Sequence, residues 1–137
     1  MSTYTGGCAC GANRYEINTE PLLMGHCQCK DCQEATGSGH ASVLVFPKSG
    51  AKLSGSVTEY STKADSGKTK KLAFCPICGS PLYTFLESMP DVFVVKAGSL
   101  DDPTVFQPQM VIYTDSRCTW DYIDPALPSY PKMPSTT

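Results

Sequence analysis

The sequence predicts a mainly β fold: small antiparallel sheets with one short helix, stapled by zinc. Three observations predict it. Among 137 residues there are 11 glycines and 11 prolines, which favour short strands joined by turns over long helices. Several short stretches alternate apolar and polar residues, as half-buried strands do. Eight cysteines group as Cys8-x-Cys10, Cys27-x-Cys29-x-x-Cys32 and Cys75-x-x-Cys78, with Cys118 alone, a spacing suited to metal.

The elements follow in chain order. Residues 3–8 and 13–17 read as two strands around a turn carrying Cys10 and Gly11, with Tyr15 and Ile17 alternating against Arg14 and Glu16. Residues 22–27 run as a strand into the three-cysteine cluster. Residues 30–36 lack β-branched alternation and stop at Gly37, as one short helix would. The helix start puts Cys29 and Cys32 near its positive end, which favours thiolate over thiol. Residues 41–46 form an apolar strand ended by Pro47, and residues 57–62 follow a loop through Gly50 and Gly55. Asp65-Ser66-Gly67 is a turn, and residues 70–74 lead into the second cysteine knuckle. Strands over 81–86, 92–98 and 109–114 complete the set. From Pro125 the chain turns to proline and serine. The expected organisation is one zinc-binding catalytic domain over 1–132 and a flexible tail over 133–137.

A disulfide framework is the competing reading of the cysteines. Against it, cysteines one residue apart project to opposite sides of an extended chain and cannot easily bridge. The first residues show no basic start, apolar core or small-residue cleavage site, so a cytoplasmic location is expected. No apolar stretch reaches the roughly 20 residues of a membrane helix. The net charge of −2 argues against a nucleic-acid partner. Lys68, Lys70 and Lys71 form the one basic cluster and read as solvated lysines of an exposed strand or turn.

Two cysteines plus two make a closed tetrathiolate site, and the remaining three make an open one. A closed site is structural; an open one keeps a position for water or substrate. The pair Cys8 and Cys10 with Cys75 and Cys78 staples the first strand to a central one. Spacing also permits Cys29 and Cys32 with Cys75 and Cys78, a wiring that leaves Cys8, Cys10 and Cys27 without an evident arrangement.

Three motifs carry a family resemblance: Gly6-Gly7-Cys8-Ala9-Cys10-Gly11, His26-Cys27-Gln28-Cys29-Lys30-Asp31-Cys32, and Phe74-Cys75-Pro76-Ile77-Cys78-Gly79-Ser80. Together with Trp120 and Leu127-Pro128, they resemble the glutathione-dependent formaldehyde-activating enzyme and centromere protein V family. The resemblance implies a β-tent-like fold and two zinc ions. Cys8, Cys10, Cys75 and Cys78 would hold the structural zinc, and Cys27, Cys29 and Cys32 the catalytic one. It also implies a zinc-dependent carbon–sulfur lyase acting on small thiol–aldehyde adducts, similar to S-hydroxymethylglutathione synthase, with glutathione as a candidate thiol. The centromere-protein relatives suggest the alternative, a noncatalytic zinc-binding interaction module.

Other residues are weighed by position. His26 and Glu34 flank the three-cysteine cluster and are the expected acid–base residues; Asp31 is a further candidate proton acceptor. His40 is a candidate fourth ligand that would close the open site. Cys118 reads as a free thiol, and Trp120 as an anchor of the C-terminal segment to the core.

Overall fold

The computed structural model describes residues 3–134. In chain order the elements are β1 (Tyr4–Gly7), β2 (Arg14–Ile17), β3 (Leu23–Cys27), α1 (Lys30–Thr36), β4 (Ala41–Pro47), β5 (Ala51–Ser54), β6 (Thr58–Lys63), β7 (Thr69–Phe74), β8 (Pro81–Leu86), β9 (Val92–Lys96) and β10 (Met110–Ile112). A three-stranded sheet has the order β1-β2-β5, and a seven-stranded sheet the order β10-β3-β4-β9-β8-β7-β6. The fold is mainly β with one α-helix among the described residues, as the composition predicts. No described helix is long and apolar enough to cross a membrane.

The core lies between the two sheets. Tyr15 and Ile17 point inward from β2 while Arg14 and Glu16 face out, the alternation read in the sequence. On the facing sheet, Leu44 and Phe46 of β4 pair across the ladder with Val95 and Phe93 of β9, and all four are buried. Aromatic edges join the layers: Tyr4 meets Phe46 at 5.2 Å, and Tyr15 meets Tyr83 at 5.8 Å between ring centroids. The other two buried residues of β4, Ala41 and Val43, lie on the opposite face, where α1 packs.

Two features depart from the sequence reading. Residues 51–54, read as loop, form β5, an edge strand beside β2. Its Ala-Lys-Leu-Ser composition lacks β-branched residues and it is mostly exposed, so pairing rather than propensity holds it. The strand expected near 109–114 narrows to β10 and runs parallel to β3, in register Ile112 with Cys27. The proline-rich segment beyond it is tied down as well. Val111 N–H donates to Pro128 O, and Tyr130 N–H donates to Val111 O. The tail expected over 133–137 falls mostly outside the described residues.

Phe46 is fully buried and contacts rings of both sheets. Phe46→Ala should lower the unfolding free energy by about 3–5 kcal/mol, measured by urea denaturation of metal-loaded protein. A loss under ~1 kcal/mol would contradict the packing described.

Candidate functional site

The fold gathers seven of the eight cysteines into two groups. Cys8, Cys10, Cys75 and Cys78 have their sulfurs within 4.8 Å of one another, and so do Cys27, Cys29 and Cys32. The wiring through Cys29, Cys32, Cys75 and Cys78 is therefore not the one formed.

The four-cysteine group joins the turn after β1 to the turn after β7. Cys8 and Cys10 sulfurs stand 3.6 Å apart, and Cys10 and Cys75 sulfurs 3.7 Å. A disulfide would need roughly 2.05 Å. Thiolates around zinc at roughly 2.3 Å would be separated by about 3.8 Å, so these sulfurs sit near the edge length of such a tetrahedron. Backbone N–H groups aim at them: Asn13 N–H reaches Cys8 Sγ at 3.3 Å and Ile77 N–H reaches Cys75 Sγ at 3.4 Å. The second knuckle closes through Gly79, whose N–H bonds Cys75 O at 2.8 Å and whose φ of 77° favours glycine. Hydrogen bonds from the Ser80 side chain and backbone hold the Cys78 thiol down at about 5.

The three-cysteine group is local. Cys27 ends β3, Cys29 caps α1 by accepting from Cys32 N–H at 3.4 Å, and Cys32 lies in the first helical turn. Hydrogen bonds from Cys27 and Cys32 pull the Cys29 thiol down to about 2, with Cys32 N–H and the Lys70 charge adding to the effect. For Cys32 the bond from Cys27 pulls downward, but the Cys29 thiolate and burial prevail and raise it to about 11. Cys27 is pushed further up by its bonds to Cys29 and Cys32 and by burial. Crowding thus opposes ionisation of all three sulfurs together and favours protons on part of the group. A cation that displaces those protons relieves the conflict, so this donor set fits a thiophilic metal.

Two lysines flank this group. Lys70, read from sequence as solvated, is only 13% exposed and pairs with Asp31 of α1 at 2.7 Å. Strand alternation sends Lys70 beneath the helix, whereas Lys68 and Lys71 remain exposed. Burial opposes its charge, but the Asp31 carboxylate outweighs that and raises its pKa. Lys96 shares a sheet face with Cys27, one on each side of β4, through the pairings Cys27 with Ala41 and Val43 with Lys96. Burial pushes the Lys96 ammonium down, opposed by the sulfurs of Cys32 and Cys27.

Lys96 also lines a cleft of about 710 Å³, together with His40, Ser42, Arg14, Asp101 and Ser80. Arg14 forks onto Asp101 and holds that carboxyl down at about 2. That cation is engaged within the protein; Lys96 makes no ion pair with a carboxylate among the described residues, and its charge interacts with the sulfurs of Cys32 and Cys27.

The remaining predicted residues are distributed differently from expectation. His26 lies on the sheet face opposite Cys27, with Nδ1 2.9 Å from Ser42 Oγ and its ring edge-on to His40 at 4.8 Å. Burial and then His40 push its pKa down. Glu34 is 71% exposed and pairs with Lys30 at 3.7 Å. Two residues beyond Cys32 on a helix, it lies across from the thiols and not beside them. Asp31 is engaged by Lys70. His40 does not join the three sulfurs as a fourth ligand; its Nδ1 bonds Asp121 at 2.9 Å. Cys118 is a free thiol whose Sγ approaches Gln33 Oε1 at 3.4 Å. Trp120 is 61% exposed and does not anchor the C-terminal segment to the core. Backbone pairing along β10 and the side chains of Gln28, Gln33 and Asp121 do that work.

A profile described as "Glutathione-dependent formaldehyde-activating enzyme" matches residues 3–116. Among solved structures, a crystal structure of a Rhodobacter sphaeroides protein, a Northeast Structural Genomics target, aligns with a TM-score of 0.58. It is 19% identical, and the alignment covers 92% of this chain and 98% of that one, a likeness of fold. No curated protein matches the chain.

Cys78→Ser should leave the protein unfolded or insoluble, because it opens a group that joins the two sheets. Cys29→Ser should stay folded and lose one metal, because its group is a six-residue local segment. Circular dichroism with metal analysis on both variants checks this; equal collapse of the two would contradict the division.

Proposed function

This chain belongs to the glutathione-dependent formaldehyde-activating enzyme family, and we propose that it is a zinc-dependent carbon–sulfur lyase that makes and breaks adducts between a small thiol and an aldehyde. One observation carries the reading. Cys27, Cys29 and Cys32 converge without a fourth protein ligand in their group among the described residues. An open site of that kind suits catalysis, whereas the four sulfurs of the other group suit structure.

Zinc held by Cys27, Cys29 and Cys32 would keep a bound substrate thiol as its thiolate near neutral pH. A free thiol of pKa ≈ 8.5 is roughly 3% ionised at pH 7, so full ionisation is worth about 30-fold, or about 2 kcal/mol. Alignment of the reacting atoms can be worth ~7–11 kcal/mol, so positioning of the two substrates must supply most of any large acceleration. Lys70 and Lys96 offset the charge of the three sulfurs. Lys96, unlike Lys70, has no carboxylate partner among the described residues, so beside the sulfurs it can meet a substrate anion or the oxygen that gains charge as the carbon–sulfur bond forms. Glutathione is the proposed thiol and formaldehyde the proposed aldehyde.

Exchange NMR on formaldehyde, glutathione and their hydroxymethyl adduct should show interconversion accelerated by the zinc-loaded protein and not by Cys29→Ser. Absence of acceleration with glutathione and other small thiols, with both metal sites filled, would favour a noncatalytic binding module.

A further inference from the structure

We propose that the outer edge of β6 is a self-pairing interface, through which two copies of this chain dock antiparallel about a two-fold axis at Ser61. The smaller sheet ends in β1 and β5, the larger in β10 and β6. Two of these edges are covered by the chain itself, β1 by Leu100 and Asp101 and β10 by Ser129 and Tyr130. The β5 edge is only four residues long. Strand β6 has six residues, is exposed almost throughout, contains no proline and pairs with β7 without a register shift. Of the devices that usually guard an edge it carries only a lysine.

The register shows which backbone groups face outward. Ala64 N–H donates to Lys68 O at 2.8 Å, a pair that continues the β6–β7 ladder. Antiparallel ladders alternate bonded and non-bonded pairs, so Thr62 and Tyr60 bond β7. Lys63, Ser61 and Glu59 then turn their N–H and C=O away from it. A second bond fixes the same phase: Glu87 N–H donates to Thr69 O at 3.0 Å, so Thr69 turns to β8 and away from Lys63 opposite it. No other described segment bonds the backbone of these three residues.

The outward residues are complementary to themselves. A two-fold axis at Ser61 sets Ser61 against Ser61 of the second copy and Glu59 against its Lys63, each pair exchanging both backbone bonds. Opposite charges then meet on one face. On the other, Tyr60 meets Thr62, an aromatic ring beside a β-branched residue. An axis at Glu59 or at Lys63 would instead set like charges opposite each other. Glu59 and Lys63 are exposed and make no ion pair among the described residues, Lys63 Nζ reaching only Thr69 Oγ1 at 3.4 Å. Tyr60 is 62% exposed and gains cover by the same docking. Because opposed residues share a face, the two larger sheets join into one, with α1 of both copies on the same side. Six residues a side make a small interface, so the dimer is weak and concentration-dependent.

Sedimentation equilibrium and amide exchange on the zinc-loaded protein under reducing conditions test this. Sedimentation should show monomer and dimer in equilibrium. Amides of Glu59, Ser61 and Lys63 should exchange fast in dilute solution and about 10-fold slower where dimer predominates, with Tyr60 and Thr62 protected in both. Glu59→Lys and Lys63→Glu should each raise the dissociation constant about 10-fold or more. An equimolar mixture of the two should dimerise again, because each charge then meets its opposite. Ser61→Pro removes an outward N–H and no bond to β7, so it should be folded and monomeric. A wild-type chain that stays monomeric at millimolar concentration, a dimer with those three amides unprotected, or a mixture no tighter than its components would overturn the proposal. The charge variants and the wild-type exchange pattern carry the test even where Ser61→Pro fails to fold.

Discussion

Convergence of four sulfurs from two distant turns is the constraint on which the rest depends. Cys8 and Cys10 leave the three-stranded sheet, Cys75 and Cys78 leave the seven-stranded sheet, and their sulfurs meet within 4.8 Å. Closing a loop of that length costs chain entropy, and a bound metal at such a group contributes on the order of 10 kcal/mol toward it. With the sheets joined, Tyr4 reaches Phe46 and Tyr15 reaches Tyr83. Cys8, Ser80, His40 and Lys96 all line the cleft that this closure leaves.

The second sulfur group sets an opposite problem, that of placing charge beside apolar strands. Three sulfurs at the end of β3 and the start of α1 crowd together and oppose one another's ionisation, with the charges of Lys70 and Lys96 close by. Burial works against both cations, yet each has a reason to remain. Lys70 has Asp31 as a partner. Lys96 has the charge of the Cys32 and Cys27 sulfurs. A site with one cation engaged and one available is suited to a ligand that brings negative charge.

Much of this was legible in the sequence because it is local. The helix over Lys30–Thr36 and the strand over Pro81–Leu86 follow from period and terminators within a few residues. The two metal groups follow from cysteine spacing together with the family resemblance. What was not legible depends on pairing between distant strands. Lys96 shares a face with Cys27 through two strand registers, and Lys70 of β7 pairs with Asp31 of α1, far away in sequence. His40 meets Asp121 across 81 residues, through a gap left by Gly39. Glu34 looked near the site because it is near in sequence, but helical periodicity turns it to solvent.

If one sulfur group is closed and structural while the other keeps a position for a thiol, the two zinc environments must differ. Zinc X-ray absorption on the fully loaded protein, with and without glutathione, reads that difference. A mixture is expected without glutathione: sulfur-only coordination at one site, and sulfur plus one light atom at the other. Adding glutathione should replace that light atom with sulfur. Sulfur-only coordination before any thiol is added, or a light atom that persists at saturating glutathione, would contradict it.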